Sequence, residues 1–168
     1  MKRIAPILDI NEIKDAEQFE NLTAAFFRSL KNGMFVKVEQ SGKGPDGGRD
    51  ILVTFNGTDQ IDNFTRKWVI QCKFHSKSVN RKHLADVNIP TLIHQYGADG
   101  YLLICKNGVT SKLTEMFESL NKNCKFHYNY KIWNGEELKS KLYVYSKIQK
   151  QFFPKYFAMI KEIKRKKQ

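Results

Sequence analysis

Two apolar runs in the first half of the chain, residues 51–55 and 67–74, dominate the hydrophobic pattern. The first, Ile51-Leu52-Val53-Thr54-Phe55, is followed by Asn56-Gly57, and two β-rich runs with a Gly-marked turn between them predict a hairpin turning there. In the second, alternation puts Trp68, Ile70, Cys72 and Phe74 on one face and Val69, Gln71 and Lys73 on the other. One face is therefore wholly apolar, while the other carries an amide and an ammonium one step apart near the strand's end.

The remaining periodicities fill in a mixed architecture. A helix is predicted over residues 15–30: Asp15 with Gln18 is a capping-box pattern, Phe19, Leu22, Phe26 and Leu30 form an apolar stripe, and Asn32-Gly33 supplies a stop. Residues 34–39 alternate as a short strand. Beyond Phe74 comes a helix broken or restarted at Pro90 and ending near Tyr96-Gly97, then a continuous apolar run over 101–105 that suits a strand buried on both faces. Thr110 or Ser111 caps a helix to about residue 120, with Leu113, Met116, Phe117 and Leu120 inward. Residues 125–133 alternate Phe126, Tyr128, Tyr130 and Ile132 as a further strand, and a short helix follows over 136–142. This order argues for an α/β fold, a mixed sheet with crossover helices.

Composition narrows the classes. With 168 residues and 41% hydrophobic content the chain suits one domain with a proper core. Lys and Arg exceed Asp and Glu by 29 to 17; residues 1–120 hold 16 basic and 14 acidic side chains, residues 121–168 hold 13 and 3. A basic flank beside a nearly neutral body fits a polyanion partner, or a solvated surface. The expected organisation is a catalytic domain over 1–145 and a basic helical extension or linker over 146–168. Cys72 and Cys105 read as reduced core residues, and neither zinc spacing nor a nucleotide-phosphate loop is present. Asp9 interrupts the first apolar stretch and no run is of membrane-spanning length, so a cytoplasmic protein with no membrane partner is expected.

The chemistry gathers around Gly44-Pro45-Asp46-Gly47-Gly48-Arg49-Asp50. If Asp50 opens the first strand on the matching face, its carboxylate converges with the Gln71 amide and the Lys73 ammonium, a place for a divalent cation beside a phosphate. Asp has poor strand propensity, so at Asp50 it needs a reason to be there. Asp46 reads equally as an ordinary turn residue or a metal ligand. Glu20 lies about 100° around the helix from Phe19, at the edge of the stripe; the residue alone reads as an exposed helical glutamate, and the sharper reading has it lean over the sheet toward a metal. His75 stands close enough to Lys73 to touch a substrate.

Asp46-Gly47-Gly48-Arg49-Asp50, an apolar strand, then Gln71-Cys72-Lys73 resembles the Mrr-like restriction endonuclease family of the PD-(D/E)xK nuclease superfamily. The resemblance extends to the Glu-bearing first helix, the strand at 101–105 and Ile132-Trp133-Asn134-Gly135-Glu136-Glu137-Leu138, and covers roughly residues 15–142. The wider pattern is also similar to nuclease effector domains at the N-termini of bacterial antiviral defence proteins. It implies a restriction-endonuclease-like three-layer α/β/α core, with a central mixed β-sheet flanked by helices, and a metal-dependent endonuclease acting on DNA in defence or restriction. It makes Asp50 the main metal carboxylate and Lys73 the residue that orients the attacking water and offsets charge. Gln71 stands where many members carry Glu or Asp; an amide oxygen brings one negative charge fewer. Mg²⁺, with Mn²⁺ as a substitute, then leans on Asp50, Gln71, the Cys72 backbone carbonyl, and Glu20 or Asp46. Lys43, Arg49, His75 and Lys77 are the expected DNA contacts, and a homodimer or larger defence assembly the expected partner. Kept open beside this are a catalytically silent nucleic-acid- or partner-binding module, and a structure-specific resolvase or RNase on the same scaffold.

Overall fold

A computed structural model of the chain describes residues 6–30, 34–41 and 48–166. Five strands, β1 (Phe35–Gln40), β2 (Ile51–Thr58), β3 (Asn63–Lys73), β4 (Gly100–Cys105) and β5 (Asn129–Trp133), form one sheet in sequence order. The β1–β2 and β2–β3 pairs are antiparallel; β3–β4 and β4–β5 are parallel. Six helices accompany them: α1 (Ala16–Arg28), α2 (Ile89–Tyr96), α3 (Ser111–Asn123), α4 (Gly135–Leu142), α5 (Ser146–Phe152) and α6 (Pro154–Arg165). Because β3, β4 and β5 step through the sheet in one direction, right-handed crossovers place α2 and α3 on the same face. The helices α1, α4, α5 and α6 cover the other, completing the three layers.

The alternation in β3 holds. Ile70 is buried with Phe19, Leu22 and Phe26 of α1, and Trp68, Cys72 and Phe74 pack there too, while Val69 joins Leu92, Leu103 and Phe117 in the opposite core. β4 is buried throughout, as a strand covered on both faces must be. The second core also takes Tyr130 and Ile132 from β5, so the aromatic ring at Tyr130 is an inward one.

Local chemistry moves two boundaries. The hairpin does not turn at Asn56-Gly57: these pair with Thr65 and Phe64, and the chain reverses over 59–62. There the Asp59 carboxylate accepts from the N–H groups of Ile61 (3.1 Å) and Asp62 (3.0 Å), and Gln60 takes φ 74°. The Phe64 ring covers the bare Cα of Gly57, which is why a glycine persists in mid-strand. β5 starts at Asn129 rather than at Lys125, since His127 adopts φ 57° and breaks the extended backbone. At α1, Asp15 accepts from the Gln18 N–H (2.7 Å), but Gln18 Oε1 takes its reciprocal bond from Lys14, one residue before the cap. Pro90 falls in the first turn of α2, after a short 3-10 turn at Arg81–Leu84. The proposed helix stop at Asn32-Gly33 lies outside the described residues.

The basic C-terminal stretch contributes to the α1-side core. Ile148, Phe152, Phe153 and Tyr156 are buried there, and the Glu12 carboxylate accepts from the backbone N–H groups of Lys155 (2.9 Å) and Tyr156 (3.2 Å), capping α6 from the other end of the chain.

Candidate active site

The site forms where β2 starts and β3 ends. Asp50 extends the ladder by one residue, its N–H donating to the Ile70 carbonyl at 2.9 Å. Ser41 clamps the same backbone, donating its N–H to the Asp50 carbonyl (2.8 Å) and its hydroxyl to the Arg49 carbonyl (2.8 Å). Gly48 takes φ 97°, and a Cβ there would lie 2.7 Å from the Val87 methyls, so the approach to Asp50 needs glycine on both counts. One oxygen of the Asp50 carboxylate, Oδ2, accepts the Cys72 N–H at 2.5 Å. In an antiparallel ladder the N–H and C=O of one residue point the same way, as do those of the residue two further on. The Ile70 carbonyl faces β2, so the Cys72 carbonyl faces the same side, just past the point where β2 begins.

Glu20 reaches this place from α1. It is half-buried, not the exposed helical glutamate that its position at the stripe edge suggests. Burial raises its pKa, and the negative charges of Asp50 and then Glu17 raise it further. The field of Asp50 also adds to burial in raising the Cys72 thiol and the Tyr101 phenol. A half-buried carboxylate whose ionisation is disfavoured by burial and by the neighbouring Asp50 charge marks a position where a cation would be stabilised. Among the described residues no three of the His, Cys, Asp and Glu side chains converge.

Gln71 is buried on the other face, and its Oε1 accepts the Tyr101 hydroxyl at 2.5 Å. That bond fixes the amide and leaves its oxygen one lone pair. Lys73, half-buried, ends β3, and its carbonyl accepts the Lys106 N–H (3.0 Å). Its charge opposes the burial that pushes the Cys105 thiol up to about 12. His75 follows on the same side of the chain. Its carbonyl accepts from Asn107 Nδ2 (2.6 Å), and its ring lies 4.4 Å from that of His83, whose Nδ1 accepts the Asn80 N–H. Partial burial, then His83, then Lys73 hold His75 below the usual imidazole range, keeping it neutral at pH 7.

The oxygen donors fit a hard divalent cation, which takes one or two carboxylates and completes its shell with carbonyls, waters and phosphate oxygens. Asp50, Glu20 and the Cys72 carbonyl are placed for that, with Gln71 beside them. Of the expected DNA contacts, Lys77 is exposed and Arg49 is half-buried with its guanidinium 4.6 Å over the Tyr96 ring; Lys43, like Asp46, lies outside the described residues. The sequence reading omitted Tyr101, Asn107, His83 and Lys106, the last with its ammonium 4.4 Å over the Phe74 ring. Tyr101 had a signal: a hydroxyl in an otherwise hydrocarbon strand needs a partner.

A mixed sheet between two helical layers, with an acid at the start of one strand and a lysine at the end of its neighbour, defines a restriction-endonuclease-like protein. The family model for the Mrr catalytic domain, described as restriction endonuclease, matches residues 12–142, and the chain belongs to that family. Among solved structures it is similar to the DNA modification-dependent restriction endonuclease AspBHI, with TM-score 0.55 and 13% identity over 79% of this chain and 33% of that one. It is also similar to the MspJI restriction endonuclease in complex with a 27-mer oligonucleotide, with TM-score 0.50 and 18% identity over 74% of this chain and 27% of that one. The chain thus spans a third or less of these two proteins. No curated protein matches it. Among the described residues, no helix is long and apolar enough to cross a membrane.

Proposed function

We propose that this chain is a divalent-metal-dependent endonuclease that hydrolyses DNA phosphodiester bonds, in bacterial antiviral defence or restriction. The observation that carries the reading is the convergence of Asp50 and Glu20 at the strand ends where Lys73 also stands. Mg²⁺, or Mn²⁺ in its place, would be held by Asp50, Glu20 and the Cys72 carbonyl, with Gln71 beside them; when bound it polarises the scissile phosphate and acidifies water. The chain's own residues do the rest. Lys73 donates to the non-bridging phosphate oxygen and offsets the charge that grows there in the transition state. Gln71, held by Tyr101, keeps β3 in register for Lys73 and offers its amide N–H groups to the phosphate side. His75, neutral at pH 7, is able to accept a proton from water or donate a hydrogen bond to an adjacent phosphate. Lys77 and Arg49 line the approach as phosphate contacts, with Lys43 and Asp46 on the preceding loop. DNA as substrate is supported by the family and by the basic charge; cleavage of both strands calls for two copies or a larger assembly. Three unpaired cysteines suit a reducing cytoplasmic setting.

The test is plasmid cleavage with Mg²⁺ or Mn²⁺ for the wild type, Asp50→Ala and Lys73→Ala, with EDTA as the metal-free arm. Nicked and linear products from the wild type, lost in EDTA and reduced at least ~100-fold in both variants, are expected. The second reading, a silent binding module, is favoured by the Tyr101 bond on the Gln71 oxygen, which leaves the metal one ready donor fewer. It predicts no cleavage by the wild type while salt-sensitive DNA binding persists, and branched DNA and RNA substrates separate the resolvase and RNase forms of the enzyme.

A further inference from the structure

A cavity of about 510 Å³ lies between α1 and the sheet, within the range that small-molecule sites occupy. Phe26, Phe27 and Leu30 of α1 line one side, and Trp68, Ile70 and Leu102 of the sheet line the other. Its walls continue through Trp133 and Tyr145, and Val144, which also lines it, is 79% exposed, so the cavity opens toward the α4–α5 connection. It stands apart from the candidate active site. Phe26 is six residues beyond Glu20, about 9 Å along the helix, and Trp68 is five residues before Lys73, roughly 17 Å along the strand.

The lining has one kind of charge. Lys131 and Lys141 are the charged side chains on it, and neither has a carboxylate within ion-pair distance among the described residues. The Lys141 ammonium lies 4.5 Å from the centre of the Trp133 ring, at the edge of the aromatic wall. Among the described residues, no Ser, Thr, Asn, Gln or acidic side chain lines the space. A nucleobase there would find donors in the two ammonium groups, the indole N–H groups and the Tyr145 hydroxyl but few acceptors for its own N–H groups. A hydrocarbon has no such groups to satisfy, and apolar cavities of this sort take up hydrocarbons readily.

We propose that this cavity binds a single-chain amphiphilic anion of the fatty-acid type, its hydrocarbon between α1 and the sheet and its carboxylate against Lys131 and Lys141. The two lysines select the sign of the head group, and the aromatic walls select the body. The proposal is independent of the nuclease reading, because it is measured without DNA or metal.

Both tryptophans of the chain, Trp68 and Trp133, line the cavity, so tryptophan emission excited selectively over that of the tyrosines reports its occupancy. The experiment titrates the full chain with bromine-tipped decanoate below its micelle concentration, beside decanol and decyltrimethylammonium as competitors. Saturable quenching of most of the emission at one ligand per chain, relieved by excess decanoate and far less by the other two, is expected. Lys131→Glu with Lys141→Glu should weaken the affinity ~10-fold or more while the far-UV circular dichroism is retained and melting stays cooperative. Leu30→Phe, which narrows the cavity without adding a tryptophan, should weaken quenching of Trp68 and Trp133 in a chain that still melts cooperatively. Three results overturn the proposal: no saturable quenching; equal competition by decanol with no effect of the lysine reversals; or a concentration-dependent dimer, abolished by Val144→Glu, in place of ligand binding, which would assign the cavity to a second copy of the chain.

Discussion

Glu20 sits in an arrangement that lowers the stability of the folded chain as long as its charge is unmatched. Burial and the Asp50 charge raise its pKa above the unfolded value, so the folded state binds the proton more tightly than the unfolded one. The resulting penalty is absent below the unfolded pKa, grows as pH rises through the raised folded pKa, and is fully present at neutral pH. Glu20→Gln is therefore expected to raise Tm by about 1–3 °C at pH 7 and to leave it unchanged near pH 4, as a pH series of thermal melts would show. Mg²⁺ should raise the Tm of the wild type and do so less in Glu20→Gln and Asp50→Asn, while plasmid cleavage by both variants falls. The same residue marks the limit of what the sequence discloses about the site. Asp50, Gln71 and Lys73 are tied together by strand parity, which is a local rule. Glu20 enters only because α1 crosses the sheet at an angle that brings one edge of its stripe over the end of β3, and no periodicity encodes that angle. For Tyr101 the sequence shows that the hydroxyl needs a partner but not which one, since it finds Gln71 through the parallel β3–β4 register.

At the level of elements, the long periodic segments are legible and their ends less so. The stripe of α1 and the apolar run of β4 describe burial on one face or two, and both stand where the pattern puts them. The hairpin turn and the start of β5 shift because side-chain hydrogen bonds to the backbone at Asp59 and a left-handed residue at His127 override the Gly signal and the alternation. The helix that carries Glu20 is held by buried side chains as well as by its Asp15 cap. Leu22→Ala, at a position with 0% exposure, should cost about 2–5 kcal/mol in denaturant unfolding. Lys37→Ala, which removes one exposed ion pair with Glu39, should stay within about 1 kcal/mol of wild type. A small loss at Leu22 would mean that α1 is not anchored by this core.

For the molecule as a whole, the +12 formal charge bears on binding rather than on fold. If Lys77 contacts a phosphate, Lys77→Ala should reduce the slope of log K against log salt by about 0.9 in anisotropy measurements on duplex DNA. Lys161→Ala, on the exposed side of α6, should leave that slope unchanged if its charge is only solvated, and lower it by a similar amount if α6 lies along the duplex. The strands and helices that present the catalytic groups are complete by residue 73, yet the core behind α1 is closed by Ile148, Phe152, Phe153 and Tyr156, with Glu12 capping the last helix. Contacts spanning 143 and 144 residues form only after nearly all of this sequence has left the ribosome. During synthesis the wall bearing Glu20 therefore lacks its backing until the last helix has formed.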